Sequence, residues 1–201
     1  MSFWSLSVSR LRFFLGLLPV STLGCSGVLT SDAPALREYW VKPPSYLVEE
    51  ARALGPAIVE IDVSAPEGLN RKSLLKLEPD AQLRPYAGAV WTTRAPQMIE
   101  DFVETVFEEA QVPGVDHGNP DARISMKLRE FYVDASVQSK SVLQITAVGQ
   151  CNGETWQQSY RYERLIEIET LQAIVQAHTR NIESLVSEFL ESYQGECAIS
   201  S

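Results

Sequence analysis

The chain has 201 residues, with 26 acidic and 17 basic side chains and a formal net charge of -9. This charge excludes a protein that binds nucleic acid mainly by attraction to phosphates. A hydrophobic fraction of 45% favours a folded core, and no apolar run reaches the roughly 18 residues of a membrane-spanning helix.

The first 24 residues have the proportions of a secretory signal peptide. Arg10 and Arg12 precede the apolar stretch of residues 13–23, which is too short to span a bilayer. We therefore predict that residues 1–24 are a signal peptide and that a short polar tether, residues 25–36, follows it. Export also implies an oxidising compartment.

Cys25 ends the sequence Thr22-Leu23-Gly24-Cys25, which looks like a bacterial lipobox. In a lipobox the Cys becomes the lipidated first residue of the mature protein. The usual motif has Leu where this chain has Thr22, and a small residue in place of Leu23. An ordinary signal peptide cut nearby, with Cys25 incidental, is the alternative. We predict a covalent lipid on Cys25 and no other cofactor. Because Ser26 rather than Asp follows it, we also predict delivery to the outer membrane.

Alternating apolar and polar residues predict the strands of one domain over residues 37–201. A short extended segment at 37–41 and a helical turn at 46–54 come first. The predicted strands are residues 57–63, 73–77, 123–134, 141–150 and 155–164, with residues 82–91 continuing the second strand as an extended segment. Asn152-Gly153 predicts a tight hairpin turn between the last two strands.

Two amphipathic helices complete the predicted domain. Pro96 suits the first turn of a helix that Pro113-Gly114 ends, and a second helix spans about residues 170–193, with Gly195 as its stop. We predict an α+β fold: a single, mainly antiparallel sheet with both helices packed on it, in the order β-β-α-β-β-β-α.

The sequence offers little for catalysis. His117 and Asp116 resemble an acid–base or metal-binding pair, but without a further ligand a solvated loop is the simpler interpretation. His178 lies on the apolar stripe of the last helix, where a core position is expected. Cys151 has no histidine close in sequence to activate it. We predict no metal site and no enzyme.

Once Cys25 is set aside, Cys151 and Cys197 are the remaining cysteines. In an oxidising compartment they would form a disulfide that closes a long loop. Two free, buried thiols are the alternative.

Aromatic residues offer the clearest candidates for an interface. Trp40, Trp91 and Trp156 are most simply core residues, yet aromatic side chains also anchor interfaces. Tyr86 and Trp91 flank a segment that leads into the helix starting near Pro96. A groove beside that helix would be lined by these residues.

The order of several motifs resembles the ABC-type transport auxiliary lipoprotein family, the PqiC-like lipoproteins that accompany MCE-domain lipid-transport systems. The similar segments are Tyr39-Trp40-Val41 after the lipobox Cys, residues 58–66 as a strand running into a proline loop, residues 69–71, residues 83–91, residues 95–99 at a helix start, and Leu128-x-x-Phe131.

The resemblance implies a non-enzymatic lipoprotein anchored at the periplasmic face of the outer membrane. Its partners would be an MCE-domain protein and an ABC permease and ATPase. We hypothesise that it docks through the surface around Tyr86, Trp91 and Pro96. Homo-oligomerisation is left open. The alternatives are a lipoprotein for outer-membrane assembly or cell-wall structure, a hydrolase using Asp116 and His117, and a lipid carrier with its own apolar cavity.

Overall fold

A computed structural model describes residues 35–54, 59–110, 122–151 and 153–197. All of these belong to one compact unit, Pro34–Ser201. The predicted signal peptide, Cys25, nearly all of the tether and the loop with Asp116 and His117 lie outside the described residues.

Ten elements make up the described fold, and two of them are short elements near its start. The elements are β1 (Arg37–Tyr39), α1 (Ser45–Arg52), β2 (Val59–Ser64), β3 (Ser73–Leu77), β4 (Leu83–Trp91), α2 (Ala95–Glu109), β5 (Ala122–Asp134), β6 (Lys140–Cys151), β7 (Glu154–Leu165) and α3 (Leu171–Cys197).

The seven strands form a single mixed sheet in which β1, β4, β3, β5, β6 and β7 are consecutive neighbours, while β2 also pairs with β5. The pairs β3–β4, β5–β6 and β6–β7 are antiparallel, whereas β1–β4, β2–β5 and β3–β5 are parallel. The α+β class is confirmed. The prediction of a mainly antiparallel sheet is wrong, because β2 and β3 reach β5 through long crossovers.

The predicted element order is incomplete for a local reason. The segment 73–91 is a hairpin of two strands rather than one interrupted strand, because Glu78 closes a turn onto Gln82 through a backbone hydrogen bond of 3.0 Å. The short segments at the start of the domain are a true strand and a third helix. The last helix also continues through Gly195, its predicted stop.

Strand β5 shows how the sequence selects the two faces of the sheet. Its first half buries Ile124, Met126 and Leu128, while Arg123 and Lys127 point to solvent. A register shift between residues 128 and 130 inserts an extra residue, and the buried positions then continue with Phe131 and Val133. This bulge keeps one face apolar along all of β5.

The helices pack against the apolar face of the sheet. α3 contacts β6 and β7, α2 contacts β2, and α1 contacts both other helices. At the far end of α3, Cys197 is joined to Cys151 at the end of β6 by a disulfide. The C-terminal turn of the helix is therefore covalently fixed to the sheet.

Candidate docking surface

Trp91 does not lie on a surface. Its side chain is 1% exposed and packs against the rings of Phe131 and His178, with centroid distances of 5.6 and 5.7 Å. It belongs to the inward-facing positions of β4, because the pattern at the end of this strand alternates buried and half-buried residues. The prediction that Trp91 contacts a partner is therefore wrong.

Pro96 is also buried, in the first turn of α2 beside the core. Proline suits this position because its missing N–H would be unpaired there anyway. Of the three predicted surface residues, only Tyr86 remains half-exposed. Trp40, expected in the core, is instead 64% exposed.

Tyr86 takes part in a polar junction centred on Glu169. The Tyr86 hydroxyl donates to Glu169 Oε1 at 3.2 Å, and the Lys76 ammonium donates to the same oxygen at 3.0 Å. Ser139 Oγ donates to Glu169 Oε2 at 2.7 Å. Glu169 thus connects β3, β4 and the β5–β6 turn to the segment before α3.

The electrostatics of this junction favour the ionised carboxylate. The hydrogen bonds from Ser139 and Lys76 hold the pKa of Glu169 below its ordinary value. Burial and the neighbouring Glu169 charge raise the pKa of Tyr86, so its hydroxyl keeps its proton and remains a donor. The junction is therefore a fixed ion pair of Glu169 and Lys76, supported by two neutral donors.

Exposed apolar side chains surround this junction. Leu83 on β4 pairs with Leu77 on β3. The Ala135 N–H donates a hydrogen bond to the Leu77 carbonyl, and the Ile166 N–H donates one to the Ser139 carbonyl. These contacts bring the β3–β4 turn, the β5–β6 turn and the β7–α3 segment to one end of the sheet. We call this end the turn-end surface; it consists of Leu83, Tyr86, Val137, Leu165, Ile168 and Glu169.

The exposure of the turn-end surface is unusual for apolar residues. Val137 is 97% exposed and Ile168 is 72% exposed. A shallow cleft of about 280 Å³ adjoins Leu165 and Ile168 and is also lined by Arg164 and Arg180. Clustered apolar exposure of this kind marks interaction sites. Sequence reasoning missed these residues, although single apolar residues inside turn segments were a visible signal.

The structure gives His178 a role in the core. Its Nδ1 lies 2.8 Å from Ser141 Oγ, and Asn181 Nδ2 donates to the same hydroxyl at 2.9 Å. Burial lowers the pKa of His178 to about 3, so the ring is neutral at physiological pH. It has no access to substrate. In the described ranges, no group of three or more His, Cys, Asp or Glu side chains could hold a metal ion.

Comparison with known protein families identifies the family of this chain. Residues 42–189 match the family of ABC-type transport auxiliary lipoprotein components. The chain belongs to this family, as the sequence motifs predicted. The family is one of transport auxiliary proteins and not a known family of enzymes. No curated protein sequence matches the chain. None of the helices described is long and apolar enough to cross a membrane.

Two solved structures share the fold. The first is described only as an uncharacterized protein; it is 9% identical, with a TM-score of 0.64, and the match covers 79% of this chain and 98% of that one. The second is protein XCC0632 from Xanthomonas campestris, of family DUF330. It is 18% identical, with a TM-score of 0.61 and coverage of 81% and 96%. At these identities the likeness shows the fold alone.

Proposed function

We propose that the protein is a lipid-anchored auxiliary component of an ABC transport system that moves lipid across the cell envelope with an MCE-domain protein. The observation that carries this proposal is the family match over residues 42–189. In this proposal Cys25 bears the lipid and anchors the domain at the periplasmic face of the outer membrane. The domain acts by docking, and not as an enzyme.

The turn-end surface is the docking site for the MCE-domain protein in this proposal. Its apolar side chains lie on a turn, at the ends of β4 and β7 and on the segment before α3, so a partner can cover them without disturbing the sheet. The Glu169 junction holds three of these segments in place before binding, which lowers the entropy cost of forming an interface. Tyr86 is retained from the sequence prediction, and the exposed apolar residues replace Trp91 and Pro96.

Lipidation and docking are tested separately. Labelling with a fatty acid should mark the wild-type protein and not the Cys25→Ser variant. Pull-down of the acylated protein should recover the MCE-domain protein with the permease and ATPase. Ile168→Asp should weaken this recovery at least about tenfold, because a carboxylate replaces a buried apolar contact.

Val148→Asp is the matched control for docking. Val148 is 37% exposed on the outer sheet face, away from the turn-end surface, and this variant should recover the partners like wild type. If Ile168→Asp recovered the partners as well as wild type does, docking would have to occur at another surface. Recovery of outer-membrane assembly proteins, without any transport component, would contradict the transport role itself.

A further inference from the structure

We propose that the domain carries a second surface, which docks onto an anionic phospholipid bilayer. We call it the basic patch; it consists of Arg37, Trp40, Lys42, Arg71, Lys72 and Arg94. The inference rests on the proposed function, since it assumes that a lipid on Cys25 holds the domain beside a membrane. It adds how the domain itself meets that membrane.

Three separate segments form the basic patch, and backbone hydrogen bonds hold them together. Trp91 N–H donates to the Lys72 carbonyl at 2.7 Å, which joins the residues before β3 to the end of β4. Thr92 N–H donates to the Tyr39 carbonyl at 3.0 Å, and Ala95 N–H donates to the Arg71 carbonyl at 3.1 Å. The end of β1, the start of β3 and the start of α2 therefore share one edge of the domain.

The five cations of the basic patch are exposed. Within the described ranges none of them forms an ion pair, whereas six other cations of the domain do. Glu38 and Glu67 are the carboxylates on the same segments, so positive charge remains in excess. This excess stands out in a chain of net charge -9. A partner with clustered negative charge complements it.

Trp40 indicates that this partner is a bilayer. Its side chain is 64% exposed, and neighbouring Leu36 is 66% exposed. An indole has an apolar body and a polar N–H, and for this reason tryptophan prefers the headgroup level of membranes. Basic side chains around such an aromatic residue attract anionic headgroups. An acidic protein could also bind the cations and cover the indole, and the vesicle and pull-down assays described below distinguish the two kinds of partner.

The position of the proposed lipid anchor also favours a bilayer as the partner of the basic patch. The described chain begins at residue 35, directly before the basic patch, and Cys25 precedes Leu36 by eleven peptide units. A chain of eleven peptide units spans at most roughly 38 Å. The anchor thus keeps the basic patch at high effective concentration near headgroups.

The experiment uses the acylated protein in nanodiscs of phosphatidylcholine, with or without 30% brominated phosphatidylglycerol. We expect brominated phosphatidylglycerol to quench Trp40 fluorescence, because docking puts the indole among the headgroups. Trp91 is 1% exposed and Trp156 is half-buried, so they contribute little to the change. Trp40→Phe should remove the quenching. Brominated phosphatidylcholine alone should not produce it.

A charge comparison gives the decisive readout. The triple variant Arg71→Gln, Lys72→Gln and Arg94→Gln should lose the quenching. Arg123→Gln, Lys127→Gln and Arg129→Gln remove the same charge from exposed cations on the outer face of β5, and this control should stay quenched. The chain from residue 25 with Cys25→Ser contains the whole compact unit, Pro34–Ser201, and it measures the patch without the anchor. Its binding to anionic vesicles should fall about a hundredfold in the patch variant.

Several results would overturn the proposal. Equal losses in the patch and control variants would show only non-specific charge attraction. No quenching of wild type in anionic discs would exclude membrane docking. Loss of partner recovery by the patch variant, without any effect on vesicles, would assign the patch to a protein. A failure of the Cys25 lipid itself is recognised separately, because the protein would then not be retained in the discs while the vesicle assay still reports on the patch.

Discussion

The indole of Trp156 on β7 occupies the space beside Gly149 on β6, its partner in the sheet register. A Cβ atom at position 149 would overlap the indole ring atoms. The same indole lies 6.4 Å from the ring of Phe189 on α3, so the contact links sheet and helix. A glycine in the middle of a strand is explained here by the close approach of a large neighbour.

Gly149→Ala should therefore destabilise the domain by about 2 kcal/mol, as expected for overpacking. Urea unfolding monitored by circular dichroism measures this change. Gly68→Ala is the control, because the space around Gly68 is open, and it should change stability by less than about 0.5 kcal/mol. An unchanged midpoint for Gly149→Ala would mean that the indole moves aside freely.

The buried His178 should make the protein sensitive to mild acid. Its folded pKa is about 3, below the ordinary 6.5, so between these values the unfolded chain binds a proton that the folded chain does not. Stability is therefore complete above pH 6.5 and falls as the pH decreases, by about 2 kcal/mol at pH 5. The neighbours of the ring are Ser141, Trp91 and Phe131, none of which supplies a charge to offset this.

The measurement is the free energy of unfolding of wild type and of His178→Gln from pH 8 to pH 5. The variant is expected to be less stable at pH 8 but to lose less stability on acidification. Protonation of carboxylates changes the free energy of unfolding of both proteins equally. The difference between the two curves therefore gives the contribution of the histidine. Parallel curves would contradict a neutral, buried imidazole.

The disulfide should contribute strongly to stability. Cys151 and Cys197 are 46 residues apart, and closing a loop of that length restricts the unfolded chain by about 4 kcal/mol. Reduction of the protein, or the double variant Cys151→Ser and Cys197→Ser, should lower the free energy of unfolding by this order. A denaturation midpoint that does not respond to reductant would contradict the prediction.

Substitution of Trp91 and of Trp40 by alanine should have very different effects on the stability of the domain. Trp91→Ala removes a side chain that is 1% exposed and should destabilise by about 3–5 kcal/mol. Trp40→Ala removes a side chain that is 64% exposed and should change stability by less than about 0.5 kcal/mol. Thermal unfolding of the two variants decides this. Similar melting temperatures would contradict the assignment of Trp91 to the core.

Periodicity located most elements of the fold but not their partners. The alternation of Ile124, Met126 and Leu128 identifies β5 and its buried face. Nothing in that pattern says that β2 pairs with one half of β5 and β3 with the other. Both of these pairings join residues that are about 60 positions apart in the sequence. The three-residue β1 is too short for any periodic signal.

The docking surfaces were harder to predict for a related reason. An aromatic residue fits a core and an interface equally well, so Trp91 and Trp40 were indistinguishable in sequence and proved opposite in exposure. The basic patch joins residues from three segments that only the folded backbone brings together. Arg71-Lys72 is an ordinary basic pair in the sequence, because the other members of the patch are distant along the chain.

The size of β1 has a mechanical consequence. With three residues paired to the edge of β4, it is the first of the described elements to receive any pull transmitted from the N-terminal side. Under tension this short strand should peel away before the core yields. The released segment 37–41 would add roughly 15 Å of slack. A domain held between an anchor and a rigid partner would then lengthen under load before its core unfolds.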